Sequence, residues 1–154
     1  MTEKISNKKQ IQVVGVGGLI LNKEGEILLT KRIELAFSQW NGKWGIPGGN
    51  VEFGENPDAT LHRELKEELG IEVKIILNTP LVASKTIDLH KMIYHGIFLC
   101  FPCLIIKGKP TKESAEHSDL KWFKPAEIDF SHCIPLTEDF IKQFIVIKSF
   151  YNVS

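Results

Sequence analysis

The sequence predicts a mixed domain of strands and helices, α+β or α/β, and three observations carry that expectation. Runs rich in β-branched and aromatic residues alternate with turn-forming clusters through most of the chain. One segment, Pro57 to Leu69, repeats leucine at i, i+4 and i+8 between a strong start and a strong stop. A second helical pattern runs from Thr137 to about Phe150.

Taken in order, Ile11 to Asn22 is β-rich, Lys23-Glu24-Gly25 turns it, and Glu26 to Arg32 returns as a second strand. Residues 33 to 43 form a loop with Trp40, Asn41 and Gly42, ahead of a short strand at Trp44 to Ile46. Pro47, Gly48, Gly49 and Gly54 then write a tight loop whose backbone can approach a ligand closely. In the helix that follows, Asn56 suits the N-cap and Pro57 the first helical position. Asp58 complements the positive helix end and Gly70 terminates the last turn. Leu61, Leu65 and Leu69 make the apolar stripe.

Val73 to Leu77 and Leu81 to Ile87 read as extended. Met92 to Lys107 suits a central strand, with a bend or bulge expected at Gly96 and Pro102. Gly108-Lys109-Pro110 breaks it, and Leu120 to Phe123 is a final short strand. Thr137 is the expected N-cap of the last helix, with Phe140, Ile141, Phe144, Ile145 and Ile147 available for burial.

Composition agrees with one compact unit. A chain of 154 residues, 43% hydrophobic and 25% charged, can bury a sizeable core. Residues 1–10 are expected to be a flexible N-terminal segment, and 11–154 a single domain. Lys plus Arg equals Asp plus Glu at 19 each, so no net positive field exists to hold a nucleic-acid polymer. A local basic patch could still hold a phosphate. The polar start MTEKISNKKQ has no signal-peptide core, and no apolar run reaches membrane-span length, so the expected compartment is the cytoplasm. Three cysteines argue against a disulfide framework. Cys100 and Cys103, three apart in a strand, should point to opposite faces as buried thiols.

The helix carries a second stripe. Glu64, Glu67 and Glu68 fall within an arc of about 100°, with no cation among them in the sequence. Like charges at these spacings each cost a few tenths of a kcal/mol, roughly, so a positive partner is expected. Hard divalent cations with oxygen ligands, Mg²⁺ or Mn²⁺, are the natural candidates. Charge runs are also often plain solvated faces, and helix physics alone leaves both readings open.

The stretch from Gly49 to Ile71 resembles the Nudix box, G-x5-E-x7-R-E-U-x-E-E-x-G-U with U aliphatic. Every specified position is filled: Gly49, Glu55, Arg63, Glu64, Leu65, Glu67, Glu68, Gly70 and Ile71. The lead-in Trp44-Gly45-Ile46-Pro47-Gly48 is also similar to the family's. The resemblance implies an α/β/α sandwich with a mixed sheet between helices. It implies hydrolysis of a phosphoanhydride in a small-molecule nucleoside diphosphate derivative. It assigns the metal to Glu64, Glu67, Glu68 and the Gly48 carbonyl, and the activation of water to Glu64 or to a loop group outside the box. Arg63 would orient a glutamate, and Glu55 would be an anchor or a distant metal ligand.

Outside the box, Glu116 stands six residues before Trp122, as a supplementary metal-binding glutamate does in MutT-type members; Glu113 and Asp119 are its competitors. Arg32, closing LLTKR, is a candidate for the substrate phosphates, and Phe37, Trp40 or Phe53 for stacking on a base. Size and the late acidic-to-Trp segment resemble the nucleoside triphosphate pyrophosphohydrolases most. ADP-ribose or nucleotide-sugar hydrolysis is the alternative, and a ligand sensor or interaction domain the non-enzymatic one. Loss of a box carboxylate would favour the last, and none is lost. A homodimer is left open.

Overall fold

The structure is a computed structural model that describes residues 7–34, 37–112 and 114–151. Residues 1–6 of the expected flexible segment, and Glu113, lie outside the described residues. The strands are β1 (Lys9–Leu21), β2 (Ile27–Arg32), β3 (Trp44–Gly45), β4 (Gly48–Asn50), β5 (Glu72–Ile75), β6 (Leu81–Asp88), β7 (Met92–Lys107) and β8 (His117–Phe123). Helix α1 spans Pro57–Leu69 and α2 spans Thr137–Tyr151, with short 3₁₀ turns at Ser38–Trp40, Pro125–Glu127 and Phe130–His132.

The strands form one mixed sheet between the two helices, so the architecture is the expected α/β/α sandwich. Its spine is the parallel pair β1 and β7, in unbroken register from Lys9↔Met92 to Leu21↔Leu104. β2 and β4 pair antiparallel with β1, β8 with β2, and β5 and β6 with β7. Alternation along each strand sends side chains to two cores. On one face Leu61, Leu65 and Leu69 of α1 are fully buried against Val16, Ile20, Phe101 and Cys103. On the other, Phe140, Ile141 and Phe144 of α2 pack on Leu19, Ile27, Leu29 and Cys100. Cys100 and Cys103 therefore do face opposite cores as free thiols, and burial raises Cys103 to about 12.

Several local expectations need correction. β1 opens at Lys9, ahead of Ile11, because its first residues pair with Met92 and Ile93. Gly48 and Gly49 are not loop but strand, paired with Gly17 and Val16. No bulge interrupts β7 at Gly96 or Pro102; the Phe98 ring fills the room that Gly96 leaves open. Register shifts occur instead between Glu72 and Val73, and between Lys31 and Arg32. β8 begins at His117, three residues before Leu120, because it follows β2 to its end.

The Asn56 side chain makes no capping bond; the Asn56 carbonyl accepts from the Thr60 N–H and hydroxyl. Gly70 ends α1 as expected, in the left-handed region at φ 68°. In α2, Thr137 is the first helical residue rather than the cap, and Leu136 (φ 72°) accepts the Phe140 N–H. Ile145 faces outward, half exposed.

Candidate active site

The acidic stripe of α1 turns toward β4 and β8, and its three glutamates meet different surroundings. Glu64 lies against β4 so closely that a β-carbon on Gly49 would stand 2.6 Å from Glu64 Oε1. Glycine at that box position is thus a condition for the carboxylate to sit there. Glu68 is 4% exposed, and its Oε2 is 3.0 Å from Nε2 of the equally buried His117 on β8. Glu67 is the solvated member, its side chain 60% exposed.

Glu116 precedes His117, its carbonyl accepting the Ile33 N–H at 2.7 Å. Ligand atoms of Glu68, Glu116 and His117 all lie within 4.8 Å of one another. Burial pushes the Glu68 carboxyl above its ordinary range; the His117 hydrogen bond opposes that shift and the neighbouring Glu116 adds to it. A buried carboxylate beside a second one is an arrangement that a cation relieves. The oxygen-rich donor set fits a hard divalent ion. Glu64 and Glu67 stand outside this close group, and Asp119 turns back to accept its neighbour's Leu120 N–H.

Arg63, expected to orient a glutamate, lies beside the stripe. Its Nη1 reaches Glu64 Oε1 at 2.9 Å and Glu67 Oε2 at 3.3 Å. Its Nε and Nη2 grip Glu55 bidentately at 2.8 and 3.0 Å. Glu55 also accepts from the Thr60 hydroxyl at 2.8 Å and the Glu52 N–H at 3.1 Å. Its oxygens are committed to holding the loop and Arg63, which argues for an anchor rather than a metal ligand. Those bonds lower the Glu55 carboxyl to about 2, with the Arg63 hydrogen bonds the largest cause.

Next to the acidic group opens a cavity of about 120 Å³. Gly48, Gly49 and Asn50 line it together with His117 and Arg32, and Trp40, Tyr94 and Phe98 supply aromatic wall. Trp40 stacks on Phe37 at 4.6 Å, and Phe37 meets Tyr94 edge-on at 5.5 Å. Arg32 lies opposite His117 in the β2–β8 pairing and 3.9 Å from Glu34. Phe53, by contrast, is fully exposed and does not line the cavity. A polar groove of about 390 Å³, with Lys43, Ser131, Glu138 and Asp139, adjoins the cavity through Trp40 and Lys85.

Sequence reasoning missed His117, Tyr94, Phe98, Lys85 and Asn50. The one available signal was the length of β8: extending it to the residue after Glu116 would have set His117 in a strand beside Arg32.

Known proteins resemble this chain over most of its length. The family model for the NUDIX domain matches residues 12–144. A MutT-like protein of Streptomyces ambofaciens is 30% identical over 115 residues, covering 75% of this chain and 66% of that protein. The nucleoside triphosphatase NudI of Escherichia coli O139:H28 is 30% identical over 115 residues, covering 71% of this chain and 80% of NudI. Among solved structures, a MutT NUDIX hydrolase from Burkholderia pseudomallei superposes with TM-score 0.72 at 27% identity, over 86% of this chain and 98% of that one.

Proposed function

The chain belongs to the Nudix hydrolase family, and we propose that its reaction is the divalent-metal-dependent hydrolysis of a nucleoside triphosphate to the monophosphate and pyrophosphate. The observation that carries this reading is the buried Glu68 carboxylate grouped with Glu116 and with His117, which lines an aromatic-walled cavity. The likeness to NudI, a nucleoside triphosphatase by name, supports the substrate class.

Mg²⁺ or Mn²⁺ would be held by Glu68 and Glu116, with Glu64, Glu67 and the Gly48 carbonyl completing the set. When bound, the ion neutralises phosphate oxygens and so lowers the barrier to attack by water. Glu64, one oxygen bonded to Arg63, has the other for orienting that water and accepting its proton. Arg63 acts through the glutamates it grips and not on substrate. Arg32 meets the phosphates, and Trp40 with Tyr94 seats the base. Residues 11–154 work as one catalytic domain on a small nucleotide. Among the described residues no helix is long and apolar enough to cross a membrane.

A second reading, an ADP-ribose or nucleotide-sugar pyrophosphatase, draws support from the adjoining polar groove, which would take a larger group. The deciding experiment is a comparison of kcat/KM across nucleoside triphosphates, nucleotide sugars and ADP-ribose, with products identified and chelator as control. Monophosphate and pyrophosphate are expected, with no turnover in chelator. A diphospho-sugar or ADP-ribose winning by about an order of magnitude in that ratio would overturn the substrate assignment. Undiminished turnover in excess chelator would overturn the metal.

A further inference from the structure

We infer that His117 is a positioning residue for the metal site: its imidazole holds Glu68 by Oε2, so that the remaining oxygen is presented with Glu116 to the cation. This rests on the metal reading above and extends it to a residue outside the box.

Four observations carry it. The Nε2···Oε2 contact is 3.0 Å, between side chains 4% and 5% exposed, so water does not compete for it. The contact joins α1 to β8 across 49 residues of sequence, tying the box helix to the strand that delivers Glu116. The strand is itself fixed there, with Arg32 opposite His117 and the Ile33 N–H on the Glu116 carbonyl. Finally, Nδ1 is buried, with no hydrogen-bond partner among the described residues.

What this interior imidazole offers is the bond to Glu68. An ionised carboxylate only accepts, so Nε2 carries the hydrogen and donates. A nitrogen carrying a hydrogen has no lone pair for a metal, and Nδ1 is sealed away. His117 therefore orients a ligand and is not one, as partners behind metal-binding carboxylates generally do.

The test uses the full chain without substrate, titrated with Mn²⁺ and followed by the electron paramagnetic resonance signal of the free ion. His117→Gln keeps an N–H at about the reach of Nε2, whereas His117→Asn is too short and His117→Leu has none. Mn²⁺ affinity is expected to fall about 10- to 100-fold in the Asn and Leu variants and to stay near wild type in the Gln variant. Competition with Mg²⁺ should show both ions weakened alike, since a lost nitrogen ligand would penalise Mn²⁺ more. Wild-type affinity in both Asn and Leu variants, a Gln variant as weak as Leu, or selective loss of Mn²⁺ would each overturn the proposal. Glu68→Gln is the control: if it too binds Mn²⁺ like wild type, the metal reading itself has failed.

Discussion

The two halves of the candidate active site are built in opposite ways. The acidic half takes Arg63, Glu64, Glu67 and Glu68 from a single helix, where the 3.6-residue pitch fixes their relative directions, and adds His117 from the opening of β8 and Glu116 just ahead of it. The cavity half takes its walls from β1, β2, β4, β6, β7, β8, the start of α2 and three connecting segments. Errors in one helix are local, whereas the cavity depends on the whole sheet being assembled. The acidic half is thus robust geometry suited to invariant chemistry. The cavity is a composite whose walls can change one at a time, which suits substrate choice. Perturbing each half separately should give different kinetic signatures.

The largest effect is expected at Glu64. Glu64→Gln keeps the shape that fits against Gly49 but removes charge and basicity, so kcat at saturating metal should drop about 10²–10⁴-fold. Steady-state kinetics over a metal titration checks this. Full rescue by added metal would move the base out of the helix, toward the segment around Glu116.

Next comes the apolar stripe on the same helix. Leu65 is completely buried, and Leu65→Ala should cost about 2–5 kcal/mol of stability by denaturant unfolding. Ile106, 64% exposed on β7, should tolerate alanine within about 0.5 kcal/mol. Equal losses at the two positions would contradict the burial of the leucine face of α1 in the core.

The difference between the two halves explains what could be read from sequence. The glutamates and the leucine stripe obey a spacing rule within one element, so they were legible together, and Gly49 was legible from its fixed distance to them in the box. Arg63 was legible as an orienting group, but not its bidentate hold on Glu55, because that bond crosses a loop whose path no periodicity encodes. His117 has no spacing relation to the box in sequence; only the fold brings it opposite Arg32 and beside Glu68. Tyr94 and Phe98 belonged to an apolar strand with no sign of which residues meet a cavity. Phe53 was an equal candidate with Trp40, and only tertiary structure separates them.

The Arg63–Glu55 pair adds a pH signature. Glu55 is lowered from its ordinary value of 4.5 to about 2, so its contribution to stability is fully present above about 4.5. It disappears as pH falls through about 2. The melting-temperature gap between wild type and Glu55→Gln should therefore be widest near neutrality and close under strong acid. A gap that stays constant between those limits would mean Glu55 acts by shape and not by charge.

The smallest effect concerns the aromatic wall, where one comparison separates cavity from surface. Trp40 lines the cavity and is braced by Phe37, which is in turn braced by Tyr94, so its ring is held where a base can stack on it. Aromatic stacking contributes about 0.5–1.5 kcal/mol beyond buried area, so Trp40→Ala should raise KM about two- to tenfold. The kcat should change little, because the stacking is uniform between ground and transition states. Phe53 stands nearer the box glycine in sequence than Trp40 does but faces solvent completely, and Phe53→Ala should leave both parameters unchanged. Measuring the two variants on the same nucleoside triphosphate makes the contrast direct. If Phe53→Ala raises KM and Trp40→Ala does not, the base is seated on the outer surface of the box loop, and the cavity serves some other part of the substrate.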